Sequence, residues 1–160
     1  MSGLRLSSVG LLLVLSCTNG LTRVDSYWGA TTERFYRSAV YDWWPQAEKQ
    51  APQKGVENLH WLIYDNIEAV LEEMGYRKRA GEIKPDFLIA FHIGSGLQPS
   101  SSGPQNVAML TIEAYAPDGH LVWRGWAEGS VDTSLPPEAR KSRIESAVRA
   151  TLHQFEPAKG

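Results

Sequence analysis

The 160-residue sequence predicts an α+β fold: a two-layer sandwich in which a mostly antiparallel sheet of about five strands carries two helices on one face. Three observations predict it. Asn106 to Val131 reads as a β-hairpin, two segments carry apolar residues at helical spacing, and strands and helices follow one another in segregated blocks rather than in strict alternation.

The hairpin is the best defined element. Its turn is Ala116-Pro117-Asp118-Gly119, where proline suits the second position, aspartate the third, and glycine supplies the positive φ needed to enter the second arm. On the first arm Ala108, Leu110, Ile112 and Ala114 oppose Met109, Thr111, Glu113 and Tyr115. On the second, Leu121, Trp123 and Ala127 oppose Val122, Arg124, Trp126 and Glu128, so one face of the sheet is built to be covered.

In chain order, a short strand is expected over Val24 to Trp28, broken by Gly29 to Thr32, and a second over Arg37 to Trp44, ended by Pro45. Gln46 to Lys54 is a polar linker. Helix one runs from Glu57 to Met74, with Leu59, Leu62, Ile63, Ile67, Val70, Leu71 and Met74 three and four apart, and Gly75 stops it. Arg77 to Lys84 is a charged loop, and Pro85-Asp86 introduces a strand from Phe87 to Ile93. The Ser-, Gly- and Pro-rich segment Gly94 to Gln105 is expected to be a mobile loop. After the hairpin, helix two starts near Ser134 with Pro136 and Pro137 in its first turn, presents Ile144, Ala147, Val148, Thr151, Leu152 and Phe155, and ends before Pro157.

Composition bounds the function classes. One domain's worth of chain can bury roughly two-thirds of its unfolded surface. A formal net charge of -2 argues against a nucleic-acid partner, which calls for a clustered basic face.

The N-terminus points to export. Arg5 precedes the apolar run Val9 to Leu15, too short to span a bilayer but suited to the core of a signal peptide. Val14-Leu15-Ser16-Cys17 follows, resembling a bacterial lipobox, and Cys17 is the only cysteine. A lone cysteine forms no internal disulfide, so lipidation of Cys17 explains its position best. The alternative is an ordinary signal cleaved near Ser16 or Gly20, leaving a soluble periplasmic or secreted protein. The expected organisation is signal peptide 1–17, tether 18–23 and a single domain 24–157. Thr18 rather than aspartate after the cysteine goes with outer-membrane sorting in enteric-type bacteria, with the domain facing the periplasm.

Several short motifs in order support this reading: Tyr41-Asp42-Trp43, Met74-Gly75-Tyr76, Pro85-Asp86-Phe87, Leu121-Val122-Trp123-Arg124-Gly125 and Phe155-Glu156-Pro157. Together with the lipobox they resemble the bacterial lipoproteins grouped as domain of unknown function 4136, over about Val24 to Pro157. The resemblance implies a membrane-anchored, periplasm-facing α+β domain with no established activity, and it brings no catalytic residues with it.

No catalytic, metal or cofactor signature is present. His60, His92, His120 and His153 lie on four different elements without metal-ligand spacing. The Glu57/His60 pair has the three-residue spacing of a di-iron motif, but a second copy and further carboxylates are missing. No Gly-x-Ser-x-Gly elbow occurs, and Gly94-Ser95-Gly96 lacks the lysine and helix of a phosphate loop.

The tryptophans remain. Trp123 belongs with the covered face, and Trp61 is expected to flank the same layer. Trp126 shares the opposite face with Arg124, whose guanidinium can lie against the indole. With Met109, Tyr115 and Trp44 these residues form a candidate interaction patch. The favoured expectation is a non-catalytic envelope lipoprotein held to the membrane through Cys17, whose patch binds an envelope protein or helps assemble the envelope. The alternative is a carrier or sensor of a small apolar or lipid ligand, which calls for a cavity lined by residues such as Phe87, Phe91 and Trp123.

Overall fold

In the computed structural model, residues 20–29, 35–45, 57–98, 103–130 and 134–155 are described. Cys17, the linker Gln46 to Lys54, Pro157 and the middle of the Ser/Gly-rich segment lie outside them. Six strands and two helices follow in the order β1 (Leu21–Trp28), β2 (Val40–Trp43), α1 (Glu57–Glu73), β3 (Arg77–Lys78), β4 (Phe87–Gln98), β5 (Gln105–Tyr115), β6 (Leu121–Ser130) and α2 (Pro137–Leu152). The sheet is open and mixed, with strand order β1-β6-β5-β4-β2-β3. β1, β6, β5 and β4 pair antiparallel, whereas β2 runs parallel to both β4 and β3. The parallel pairing follows from chain path, since α1 provides the crossover that parallel strands require.

The hairpin forms as its turn residues dictate. Gly119 has φ 97°, its N–H donates to the Ala116 carbonyl at 2.9 Å, and the Ala116 N–H donates to the His120 carbonyl at 2.9 Å. The result is a three-residue loop closed by a left-handed glycine. α1 stops where glycine allows a Schellman ending: the Tyr76 N–H donates to the Leu71 carbonyl at 3.0 Å and the Gly75 N–H to that of Glu72 at 2.9 Å, with Gly75 at φ 92°. Tyr76 and Leu71, the two apolar residues this motif brings together, are both buried.

Four boundaries differ from the sequence expectation. β1 begins at Leu21, taking in the last three residues of the tether expected over 18–23. β2 is shorter than Arg37 to Trp44 because Ser38 turns the chain with φ 77°, its N–H donating to the Gly75 carbonyl. The expected charged loop contains the edge strand β3, whose two residues are basic and exposed, which blunts the edge. Gly94 to Gln98 is strand, paired residue for residue with Met109 to Gln105. Small residues there weaken packing but leave the backbone ladder intact.

The two helices cover one sheet face. Ile63, Ile67, Val70 and Leu71 of α1 and Val148 and Leu152 of α2 meet Ile89, Phe91, Ile112, Ala114 and Trp123 of the sheet. Phe155, just past α2, is completely buried and joins Trp123 (ring centroids 4.9 Å), Trp28, Tyr76 and Phe87 (each 5.5 Å) into one aromatic cluster. Trp123 lies flat across β6 because Gly125 has no side chain: a Cβ there would come within 2.5 Å of the indole. Trp61, by contrast, does not flank this layer. It is 54% exposed on the outside of α1, edge-on to Tyr64.

The short motifs acquire physical content here. Tyr41 and Trp43 point into the core while Asp42 between them pairs with Arg79 at 2.9 Å. The Trp43 ring stacks on Tyr64 at 4.1 Å and its indole N–H donates to Glu68 at 2.8 Å. Asp86 holds the start of β2 by accepting the Val40 N–H on its side chain while donating its own N–H to the Val40 carbonyl, each at 2.6 Å.

Candidate functional site

The sheet face opposite the helices presents the odd-numbered residues of β5 and the even-numbered residues of β6 beyond the irregularity at Ala114/Tyr115. Register sets Glu113 across from Arg124, Thr111 across from Trp126 and Met109 across from Glu128. On the far side of β5, His92 is opposite Thr111 and Gly94 opposite Met109, and on the far side of β6 Tyr27 is opposite Arg124 and Asp25 opposite Trp126.

Glu113 is the centre of this face. Its side chain is only 5% exposed, yet it carries four contacts. Arg124 donates to Oε1 through Nε and Nη2, both at 2.6 Å, the Tyr115 hydroxyl donates to Oε2 at 2.6 Å, and His92 Nε2 lies 3.1 Å from Oε2. Burial on its own raises the Glu113 carboxyl, but the hydrogen bonds from Tyr115 and Arg124 and the nearby positive charge outweigh it and hold the group below its ordinary value. Burial, then the bond to Glu113, pushes the Tyr115 phenol up to about 12. A carboxylate held below its ordinary value and bonded by Arg124 and Tyr115 stabilises this face electrostatically.

The five expected patch residues share this face, with unequal contact. Tyr115 and Arg124 meet through Glu113, and Trp44 packs on the Tyr115 ring at 4.6 Å. Trp126 is half-buried two residues along β6, and Met109 is 39% exposed beside Glu128. The expected stacking of Arg124 on Trp126 is replaced by the ion pair with Glu113, because a buried carboxylate attracts the guanidinium more strongly than an indole face does. Glu113 and His92 are the residues that sequence reasoning missed. Counting straight back from the Pro117-Asp118-Gly119 loop would set Glu113 across from Trp123; the irregularity at Ala114/Tyr115 moves it to Arg124, so the available signal was only that both residues fall on the uncovered face of the alternating pattern.

The remaining histidines are dispersed. His60 packs on Phe91 at 4.8 Å, His120 Nδ1 is 2.6 Å from Asp118 in the turn, and His153 is exposed beyond α2. Among the described residues no three His, Cys, Asp or Glu side chains gather as a metal site. Phe87, Phe91 and Trp123, expected to line a ligand cavity, are instead packed in the core at 0%, 6% and 0% exposure. A cavity of about 640 Å³ lies elsewhere, at the end of the sheet away from the Ala116–Gly119 turn, under the first halves of both helices.

The architecture is shared with solved proteins. A PDZ domain protein from Parabacteroides distasonis superposes with TM-score 0.59 at 12% identity over 86% of this chain, which spans 36% of that one. PelC from Paraburkholderia phytofirmans, solved as a dodecamer, gives TM-score 0.51 at 12% identity over 86% of this chain and 99% of its own. Such low identities show a common fold alone. No curated protein matches the sequence. The domain of unknown function DUF4136 matches residues 30–157, four-fifths of the chain and all but the first strand of the sheet, and the protein belongs to that family.

Proposed function

We propose that this protein is a lipid-anchored, periplasm-facing lipoprotein whose domain has a non-catalytic role, binding an envelope protein or helping to assemble the envelope. The observation that carries the reading is the open sheet face. Arg124, Tyr115 and His92 are engaged around Glu113 there, while Trp126, Trp44, Tyr115 and Met109 provide the mixed aromatic and polar surface used in protein recognition. Two further points support it. Val14-Leu15-Ser16-Cys17 offers the single cysteine for acylation, and a fold of the same kind is found in PelC, a protein that assembles with itself.

Acylation at Cys17 would attach long chains, and burial of each methylene at about 0.8 kcal/mol makes release negligible once two or three chains are present. β1 begins four residues after Cys17, a span of at most about 14 Å even when fully extended, so the domain would sit against the bilayer surface. Intact mass and membrane fractionation of the native protein beside a Cys17→Ser variant test the anchor. The reading expects a diacylglyceryl mass and membrane recovery for the native protein and neither for the variant. Two unmodified, soluble proteins would overturn it.

A further inference from the structure

We propose that the 640 Å³ cleft between the sheet and the first halves of α1 and α2 binds a single acyl chain with an anionic head, namely a free long-chain fatty acid. The cleft opens on the helix side of the sheet, with Met109 the one patch residue that also borders it, and the inference does not depend on that reading. Its volume is in the range of about 300–1,000 Å³ typical of small-molecule sites.

Its lining separates into an apolar interior and a basic rim. The floor is Ile93, Ala108, Leu110 and Ala127 of the sheet, and the walls are Leu59 and Leu62 of α1 and Ile144 and Ala147 of α2. Ile93 shares the helix-side face of β4 with the buried Phe91 and Ile89, yet it is 43% exposed, since no side chain among the described residues fills the space above it. Alanines at 108, 127 and 147 and the glycine at 129 keep the surface apolar without occupying the volume.

Arg140, Lys141 and Arg143 of α2 border the same cleft. Lys141 is 3.9 Å from Glu145, whereas Arg140 and Arg143 have no ion-pair partner among the described residues. The α2 N-terminus adds to the positive potential, because Pro136 occupies the capping position and no side chain caps the first turn; Glu138 is its one acidic residue. A forked guanidinium suits a carboxylate, and an apolar interior with few polar groups suits a saturated tail. One chain with one negative head satisfies both halves of the lining.

The test is fluorescence binding of cis-parinarate to the purified full chain carrying Cys17→Ser, so that no acyl chain of its own competes. Palmitate should displace the probe about tenfold more effectively than hexadecanol, which has the same tail without the charge. An Arg140→Glu/Arg143→Glu variant should lose that preference while hexadecanol is unaffected. Ala108→Trp, at an exposed strand position, should fill the floor and abolish displacement by both. Circular dichroism confirms that each variant is folded. Equal displacement by palmitate and hexadecanol, or binding unchanged by Ala108→Trp, would overturn the proposal. So would binding confined to phosphatidylglycerol vesicles, which would make the basic rim a membrane contact instead.

Discussion

The two faces of the sheet are made by alternate residues of the same strands, yet they are held by different physics. On the helix side, Trp123 and Ile112 are fully buried among Phe155, Phe87, Val148 and Leu152, and stability there comes from apolar area and close packing. On the open side, one residue along each strand, Glu113 and Arg124 form an ion pair that Tyr115 and His92 complete. Volume governs the first face and charge the second. A change that one face tolerates should therefore disturb the other.

The largest effect is expected from Trp123→Ala, which empties the centre of the aromatic cluster and should cost about 3–5 kcal/mol in chemical denaturation. Gly125→Ala is the converse experiment, adding volume instead of removing it. Its Cβ would meet the Trp123 ring at 2.5 Å and the Thr151 methyl at 2.9 Å, and the expected loss is about 1–3 kcal/mol with a changed near-ultraviolet tryptophan signal.

The open face should answer to charge at constant shape. Glu113→Gln keeps the volume but removes the negative charge and one of the two acceptor oxygens shared by Arg124, Tyr115 and His92, for an expected loss of about 1–2 kcal/mol at neutral pH. The pH dependence has a definite sign. The Glu113 carboxyl is depressed in the folded protein, so its contribution is complete above the ordinary value of 4.5 and is lost as pH falls through the lower folded value. Denaturation midpoints measured from pH 6 downward should fall less steeply in Glu113→Gln than in the native protein. The same variant at neutral pH should leave the aromatic signal of the covered face unchanged.

Trp126→Gln is expected to be the mildest change. The side chain is half-buried on the open face, so a loss of about 1 kcal/mol or less is expected by thermal denaturation.

Much of this division can be read from the sequence, and the reason is local. The hairpin turn depends on Pro117, Asp118 and Gly119, three adjacent residues whose preferences agree, and α1 on an apolar period closed by Gly75. What escapes a reading of the chain is what depends on register between distant segments. Glu113 looks like any solvent-facing strand residue until Arg124, Tyr115 and His92 converge on it from three positions. β3 is two residues long, too short for a period, and is defined by two backbone bonds to a distant strand, from the Arg77 N–H to the Ala39 carbonyl and from the Arg79 N–H to the Tyr41 carbonyl. The cleft is harder still, since it arises from the coincidence of Ala108, Ala127 and Ala147 on three separate elements. Composition misleads in one place: the glycines and serine at 94–96 read as loop, but the ladder with β5 extends through them.

The proposed binding role makes the open face the working surface of the protein. The most direct measurement places a photoreactive phenylalanine analogue at Trp126 on that face, or at Trp61 on the outer side of α1, in the intact envelope. Both sites are aromatic and reachable, but they look in opposite directions. A discrete protein adduct is expected from position 126, weakened by Glu113→Gln, and none of the same mass from position 61. No adduct at 126, or the same adducts from both positions, would rule out the open face as that surface.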